Sequence, residues 1–415
     1  MEFVVLKEEE YRDFYNCFYQ ASFMQSIELS NLKKEYGSIV HLVGVKANEK
    51  VIAAAMILED STILNKKIFY SPRGLMVDYD DKELLSFFVK KVKEYIKSKK
   101  GFILTIDPNV VYRIRNKDGE IEGRDNPKDE AIDNLNSLGF KHHGFNIYLD
   151  AMQARWCYMM ELDEEYEAKK ANFSKSTKKN IESCIKKGLL VRKGTINDLD
   201  VMTEIFDITS KRKDFFSRSL DYYKKMYKHM GNLMTIYIAY LDPEVYYNHT
   251  KQLLDEELLN NNKLKAEPNP SSKMLNKIAI SDKLIEKYEQ ELKKSLNFKE
   301  KYPKGKDIGC LLSIRSGNEY LTLSSGVLEE YRSFTPKYLM YEHHIKDAYQ
   351  EGFKFCNFYG ITGDFNKESK YYGIYEFKKG FDGYVIEYIG EFDLKISGFY
   401  YIYKLLKKIR KVSGR

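Results

Sequence analysis

Helix-period and strand-period runs of apolar residues alternate along this chain, and their order occurs twice. Residues 86–107, SFFVKKVKEYIKSKKGFILTID, read as an amphipathic helix, then Gly101-Phe102, then an apolar strand. Residues 343–360, HHIKDAYQEGFKFCNFYG, repeat the plan with Gly352-Phe353 at the joint. Glycine after the last helical turn is the expected stop, since it takes positive φ at little cost. Downstream, NLNSLGFKHHG (134–144) is echoed by YEFKKGFDGYV (375–385), again a helix ending at Gly-Phe.

Each copy also begins with a strand hairpin. HLVGVKANEKVIAAAMILED turns at Asn48-Glu49, and LMTIYIAYLD (233–242) is expected to pair with GCLLSIRSGNEYLTLSSG (309–326). Between Asp242 and about Ile308 the second hairpin is interrupted by helical pattern. Tyr247, Leu254, Leu258 and Asn261 share one face of a first helix; Ile278, Ile285 and Leu292 recur every seven residues in a second, supported by Leu275 and Tyr288. KAEPNPSSK breaks the two helices apart. Narrow apolar seams within Lys, Glu and Asn favour an antiparallel coiled-coil arm (244–306) over a helical pair lying flat on the body.

The predicted class is therefore α/β (α+β): two Gcn5-related N-acyltransferase-like domains, residues 1–150 and 151–390, with the arm inserted in the second. The C-terminal stretch 391–415 is expected to pack back on the first. The 415-residue length suits two cores.

Charge and composition mostly exclude. With 68 basic and 61 acidic residues the net charge is +7, so contact with a polyanion must come from local clusters. Two clusters qualify. KKANFSKSTKKNIESCIKKGLLVRK (169–193) holds nine Lys/Arg against one Glu, and YIYKLLKKIRKVSGR ends the chain as an apolar-basic stretch. Each can bind tRNA phosphates or an anionic membrane face, or be a solvated basic surface. The five cysteines are scattered without a CxxC pair, and the seven histidines give no HExxH, so no metal site is expected. The N-terminus MEFVVLKEEEYRDFY is not a signal peptide, and no apolar run approaches the ~20 residues of a membrane span. A cytoplasmic, reduced protein is expected. Nothing in the pattern sets its oligomeric state.

An acyl-CoA N-acyltransferase carries an Arg/Gln-x-x-Gly-x-Gly/Ala turn whose bare amides cradle the pyrophosphate. Neither SPRGLMVDYDDKELL nor VLEEYRSFTPKYLMYEHH, the matching segments, has the closely spaced glycines. The fold points to acyl transfer, and the donor site points away from coenzyme A.

Six pieces, in order along nearly the whole chain, resemble the FemXAB family of peptidyltransferases. They are FMQSIELSNLKKEYG (23–37), IFYSPRGLMVDY (68–79), ILTIDPN (103–109), TSKRKDFFSRSLDYY (209–223), FKFCNFYGITG (353–363) and YEFKKGFDG (375–383). The resemblance implies an aminoacyltransferase of the lipid II:glycine glycyltransferase type. It would take Gly, Ala or Ser from aminoacyl-tRNA to a stem-peptide amine of a peptidoglycan precursor, building the interpeptide bridge. The arm leans toward lipid II over UDP-MurNAc-pentapeptide, at the inner membrane face. The alternatives are an acyl-CoA-dependent enzyme and a non-catalytic tRNA-binding protein.

The resemblance also implies site residues. Lys33 would meet the acceptor's phosphates, Asp107 the acceptor amine, and Arg212 the acceptor nucleotide or phosphate, where a guanidinium fork suits phosphate oxygens. Four residues on, a family tyrosine is Phe216 here. Arg73 and Phe377 would line the substrate site. Lys378 would hold the tRNA 3′ end and stabilise negative charge during transfer; with Lys379 adjacent, an exposed lysine pair is the alternative. Because the aminoacyl ester is already activated, direct attack by the amine needs no enzyme nucleophile and no cofactor.

Overall fold

The structure is a computed structural model that describes residues 1–62, 65–122, 127–213 and 217–412. The first half runs β1 (Glu2–Val5), α1 (Glu8–Cys17), α2 (Ile27–Glu35), β2 (Ile39–Ala47), β3 (Lys50–Ser61), β4 (Lys67–Ser71), α3 (Lys82–Ser98), β5 (Gly101–Ile106), β6 (Val111–Arg115), α4 (Asp129–Ser137) and β7 (Phe140–His142). The chain continues through β8 (Trp156–Glu161), α5 (Tyr166–Ala171), α6 (Lys175–Lys186), β9 (Leu189–Lys193), α7 (Leu199–Lys213), α8 (Leu220–Met230) and β10 (Met234–Leu241). Two long helices follow, α9 (Pro243–Lys265) and α10 (Ser272–Lys301), then β11 (Lys306–Ser316), β12 (Glu319–Val327), α11 (Pro336–Gln350), β13 (Phe355–Ile361), α12 (Tyr372–Lys379) and β14 (Tyr384–Tyr388). β15 (Phe392–Lys395) and α13 (Phe399–Val412) end the described chain.

The repeat is visible in the sheets. One has the order β1-β2-β3-β4-β5-β15-β7; the other, read from its far edge, is β9-β10-β11-β12-β13-β8-β14-β6. The sixth strand of each is exchanged. β8, which follows β7 in the chain, lies between β13 and β14, while β15, which follows β14, lies between β5 and β7. β6 also joins the second sheet by pairing with β14, so the chain does not divide cleanly near residue 150. Neither sheet is complete without a strand from the other half.

Local chemistry explains the elements. Leu84, Leu85, Phe88, Val89, Val92 and Ile96 form the buried stripe of α3, whose first turn is capped by Asp81 accepting from the Leu84 amide at 3.0 Å; such a cap contributes about 1 kcal/mol. Gly139 and Gly352 end their helices at positive φ, as the pattern predicts. The other two joints differ. Lys100, not Gly101, turns left-handed, and Gly101 is needed because a Cβ there would strike Ile96 and Phe69. Gly380 stays helical, packed against Thr177, and Asp382 makes the turn. The hairpin does reverse at Asn48-Glu49, both at positive φ, with β2 and β3 antiparallel.

The inserted α9 and α10 form an antiparallel helical hairpin. Its seam matches the one the spacing suggests at Leu254 and Asn261, with Ile278, Ile285 and Leu292 half-buried, and departs from it elsewhere. Tyr246, Thr250, Leu254 and Asn261 are buried on α9, while Leu258 and Leu275 are 38% and 54% exposed. Opposite them, α10 buries Ser281, Ser295 and Phe298. Asn261 Nδ2 donates to Ser281 Oγ at 3.0 Å, and Tyr246 Oη to Glu291 at 2.6 Å. Polar seam groups of this kind fix register at a cost in stability. At its base Tyr246 packs on Phe334 and Phe298 on Tyr331. α10 has 30 residues, so it is about 45 Å long.

Candidate active site between the two sheets

Asp107 follows the apolar strand β5, which carries it to the sheet's C-terminal end, yet its carboxylate is only 2% exposed. Oδ1 accepts the backbone N–H of Arg73 at 2.5 Å and Oδ2 the hydroxyl of Tyr70 at 2.7 Å. Burial pushes its pKa up to about 6, against the opposing pull of Arg73 and these two donors. Arg73 sits at positive φ directly after β4. Its guanidinium lies 4.1 Å over the Tyr388 ring and donates to the Ala154 carbonyl at 2.6 Å. The arginine thereby ties the first sheet to the second.

On the second sheet, β12 and β13 pair in parallel only from Glu319–Leu321 to Phe355–Asn357. Beyond that the strands diverge, and β13 is irregular between Asn357 and Gly360, with Tyr359 at positive φ. Lys378, on α12, reaches this irregular stretch of β13. It is 6% exposed and donates to the carbonyls of Gly360 and Tyr359 at 2.7 and 3.1 Å. Burial pulls its pKa down to about 7, with Lys337 adding repulsion. Lys379 differs: it is half-buried, pairs with Asp118 and lines a hollow of about 190 Å³ on the other side of α12. The two lysines are not an exposed pair.

These two centres are connected. Tyr359 Oη donates to Gln153 Oε1 at 2.8 Å, Gln153 Nε2 to Tyr70 Oη at 3.3 Å, and Tyr70 to Asp107. Cys157, fully buried on β8, feels the charges of both Arg73 and Lys378. Beside the chain is a narrow cleft lined by Arg73, Asn109, Cys157, Glu319, Asn357, Tyr359 and Tyr388. Tyr70 and Tyr359 lie within the family-like pieces 68–79 and 353–363 without being singled out there, and Gln153 and Glu319 lie outside those pieces; their convergence marks all four.

The remaining expected site residues lie elsewhere. Lys33, on α2, is half-buried, and burial together with nearby Arg218 lowers its pKa, so two cations share that spot. Arg212 ends in an ion pair with Glu329. Phe377 packs edge-on against Tyr338 and Tyr341, inside an aromatic cluster rather than at the cleft. Phe216 lies outside the described residues. In the basic stretch, Lys169, Lys170, Arg192 and Lys193 are ion-paired with acids.

Residues 6–408 match the model of the FemAB family. The chain belongs to the FemAB family. Among its FemAB relatives, aminoacyltransferase FemA of Staphylococcus epidermidis is 31% identical over 99% of this chain and 100% of its own length. Aminoacyltransferase FemB of the same species is 28% identical over 99% of both. The crystal structure of FemX superposes with a TM-score of 0.75 at 25% identity, over 95% of this chain and 97% of that one. A tandem GNAT protein from clavulanic acid biosynthesis, 8% identical with a TM-score of 0.50 over 95% and 98%, shares the fold alone. The two-unit acyltransferase architecture is therefore the FemAB one, and the cleft lies where its two halves interlock. No helix among the described residues is long and apolar enough to cross a membrane.

Proposed function

We propose that this FemAB protein is an aminoacyltransferase that moves an amino acid from aminoacyl-tRNA to an amine of a peptidoglycan precursor, with lipid II as the preferred acceptor. Full-length similarity to proteins named aminoacyltransferases supports the reaction class. The observation that carries the reading is the placement, behind the wall of one cleft, of a buried carboxyl with pKa about 6 bonded to Arg73 and a buried amine with pKa about 7 bonded to Tyr359, Arg73 and Tyr359 both lining that cleft. Each can exchange a proton at neutral pH.

In this mechanism the neutral amine attacks the ester carbonyl, forming the new C–N bond. Asp107 accepts the proton the nitrogen sheds. Lys378, as ammonium, donates to the tetrahedral oxyanion. Collapse breaks the ester C–O bond, and the proton ends on the departing ribose oxygen of the tRNA. Atoms and charge balance without an oxidant or a covalent enzyme intermediate. Lys33 with Arg218 would meet the phosphates of the acceptor, and α13, which begins against Phe102 and presents Tyr401, Ile402 and Leu405 outward, would rest on the inner membrane face.

The test is reconstitution. Purified protein is incubated with tRNAs charged with Gly, Ala or Ser and with lipid II or UDP-MurNAc-pentapeptide, and products are read by mass. Addition of one residue to an acceptor is expected; no mass gain with any combination overturns the reading.

A further inference from the structure

A second carboxylate, outside the Asp107–Lys378 chain, lines the same cleft. Glu319 opens β12, just after a tight hairpin at Gly317-Asn318 that packs against the Ala21 carbonyl. One of its oxygens accepts Asn357 Nδ2 at 2.7 Å. Asn357 cannot turn away, because its own Oδ1 accepts the Tyr359 amide at 2.8 Å. The groups that act on the charge of Glu319 are the Asn357 amide, by hydrogen bond, and Arg73, at longer range. Arg73 acts on it only as a nearby charge, since that guanidinium donates to Ala154 and lies on Tyr388. Burial raises the proton affinity of Glu319. A carboxylate so placed, with one neutral donor, is complemented by an incoming cation.

The size of the cleft restricts which cation. It holds about 10 Å³ of space for the centre of a water-sized group, room for one such group. A primary ammonium is that size, whereas a planar guanidinium is not. Tyr359 also lines the cleft beside Glu319.

We infer that Glu319, held by Asn357 and flanked by Tyr359, is a subsite for a primary ammonium group. The inference rests on the transfer reaction proposed above, in which two amines take part: the acceptor's, before it loses its proton, and the α-ammonium of the donor amino acid. Glu319 is a binding residue here, separate from the proton acceptor Asp107.

Equilibrium binding tests this without turnover. One arm titrates the full chain with a lysine-containing stem-peptide precursor and its N-acetylated form. The other uses an amide-linked glycyl-adenosine and its N-acetyl form. In one arm the wild type is expected to prefer the free amine by about tenfold or more, and Glu319→Gln, which keeps the Asn357 hydrogen bond, abolishes the preference. Glu319→Asp, retaining charge, keeps part of it. The arm that responds names the amine. A preference in neither arm, or one that Glu319→Gln leaves intact while the melting temperature is unchanged, overturns the subsite. If the preference responds to Glu319 but the reconstituted transfer fails, the catalytic reading falls and the ammonium subsite stands.

Discussion

Asp107, at the end of β5, and Lys378, on α12, meet at one tyrosine: hydrogen bonds run from Asp107 through Tyr70 and Gln153 to the Tyr359 hydroxyl, while Lys378 donates to the Tyr359 backbone carbonyl. Strand exchange makes this possible. Gln153 lies on the crossover just before β8, and is thus delivered to both halves at once. In FemAB terms, the cleft is a consequence of how the two units are interlocked, and its chemistry depends on neither unit alone.

The pH dependence of transfer follows from the two ends of the chain. Asp107 must be ionised to accept a proton, so activity rises through about pH 6; Lys378 must be charged, so activity falls above about pH 7. A narrow bell of kcat/KM is expected. Asp107→Asn removes the acidic limb and lowers the rate by about 10²–10⁴; Lys378→Met removes the alkaline limb.

Stability should carry the same two groups with defined signs. The raised pKa of Asp107 means the folded state holds more protons than the unfolded chain between about pH 4 and 6, so its contribution is fully present below that window and is lost as pH rises through it. The depressed pKa of Lys378 works oppositely: the unfolded chain binds more protons between about pH 7 and 10.5, and stability rises across that window. Denaturant titrations at pH 6.5 and 9.5 should show the wild type gaining stability and Lys378→Met gaining less. Equal gains would remove the buried-ammonium assignment.

Gln153→Leu cuts the connection while leaving both ends in place. It strips a partner from the part-buried hydroxyls of Tyr70 and Tyr359, a loss of about 1–3 kcal/mol. The transfer rate should fall at least about tenfold, with a smaller fall for Tyr359→Phe. Single-turnover rates, compared with melting temperatures, separate this from simple unfolding.

Much of the fold was legible because it rests on local pattern. The repeated helix–joint–strand units and the hairpin at Asn48-Glu49 follow from periodicity and turn chemistry. The return of the C-terminal stretch to the first unit was expected and β15 makes it, and β8 lies in the second sheet within the bounds 151–390; the crossing of β6 to pair with β14 was not legible, because only tertiary packing decides it. The seam of the inserted hairpin was read in part: Leu254 and Asn261 are buried in it as expected, while Leu258 and Leu275 are exposed. Ser281, which accepts from Asn261 and donates to Glu257, is a buried polar group that apolar periodicity does not register. Of the site residues, Asp107, Arg73 and Lys378 were found through family resemblance. Tyr70, Gln153, Tyr359 and Glu319 emerged only from geometry, since each is an ordinary residue until its neighbours are known. Phe377, adjacent to Lys378, points into the aromatic cluster because successive helix positions diverge by roughly 100°.

Interlocking also predicts how the molecule unfolds. Since each sheet contains a strand of the other half, calorimetry should show one transition rather than two. Phe392, fully buried on β15 against Phe140 and His142, is the place to probe. Phe392→Ala should cost about 3–5 kcal/mol and lower that single transition as a whole. A second half that melts at its original temperature would show that the two units are independent.

The central claim is that Asp107 and Lys378, behind the wall of the cleft, act as one catalytic unit, and a double-mutant cycle measures it directly. Single-turnover transfer rates are compared for the wild type, Asp107→Asn, Lys378→Met and the double variant. A unit predicts that the double variant is no slower than the worse of the two single variants. If the two losses instead multiply, Asp107 and Lys378 work independently and the chain between them has no part in transfer.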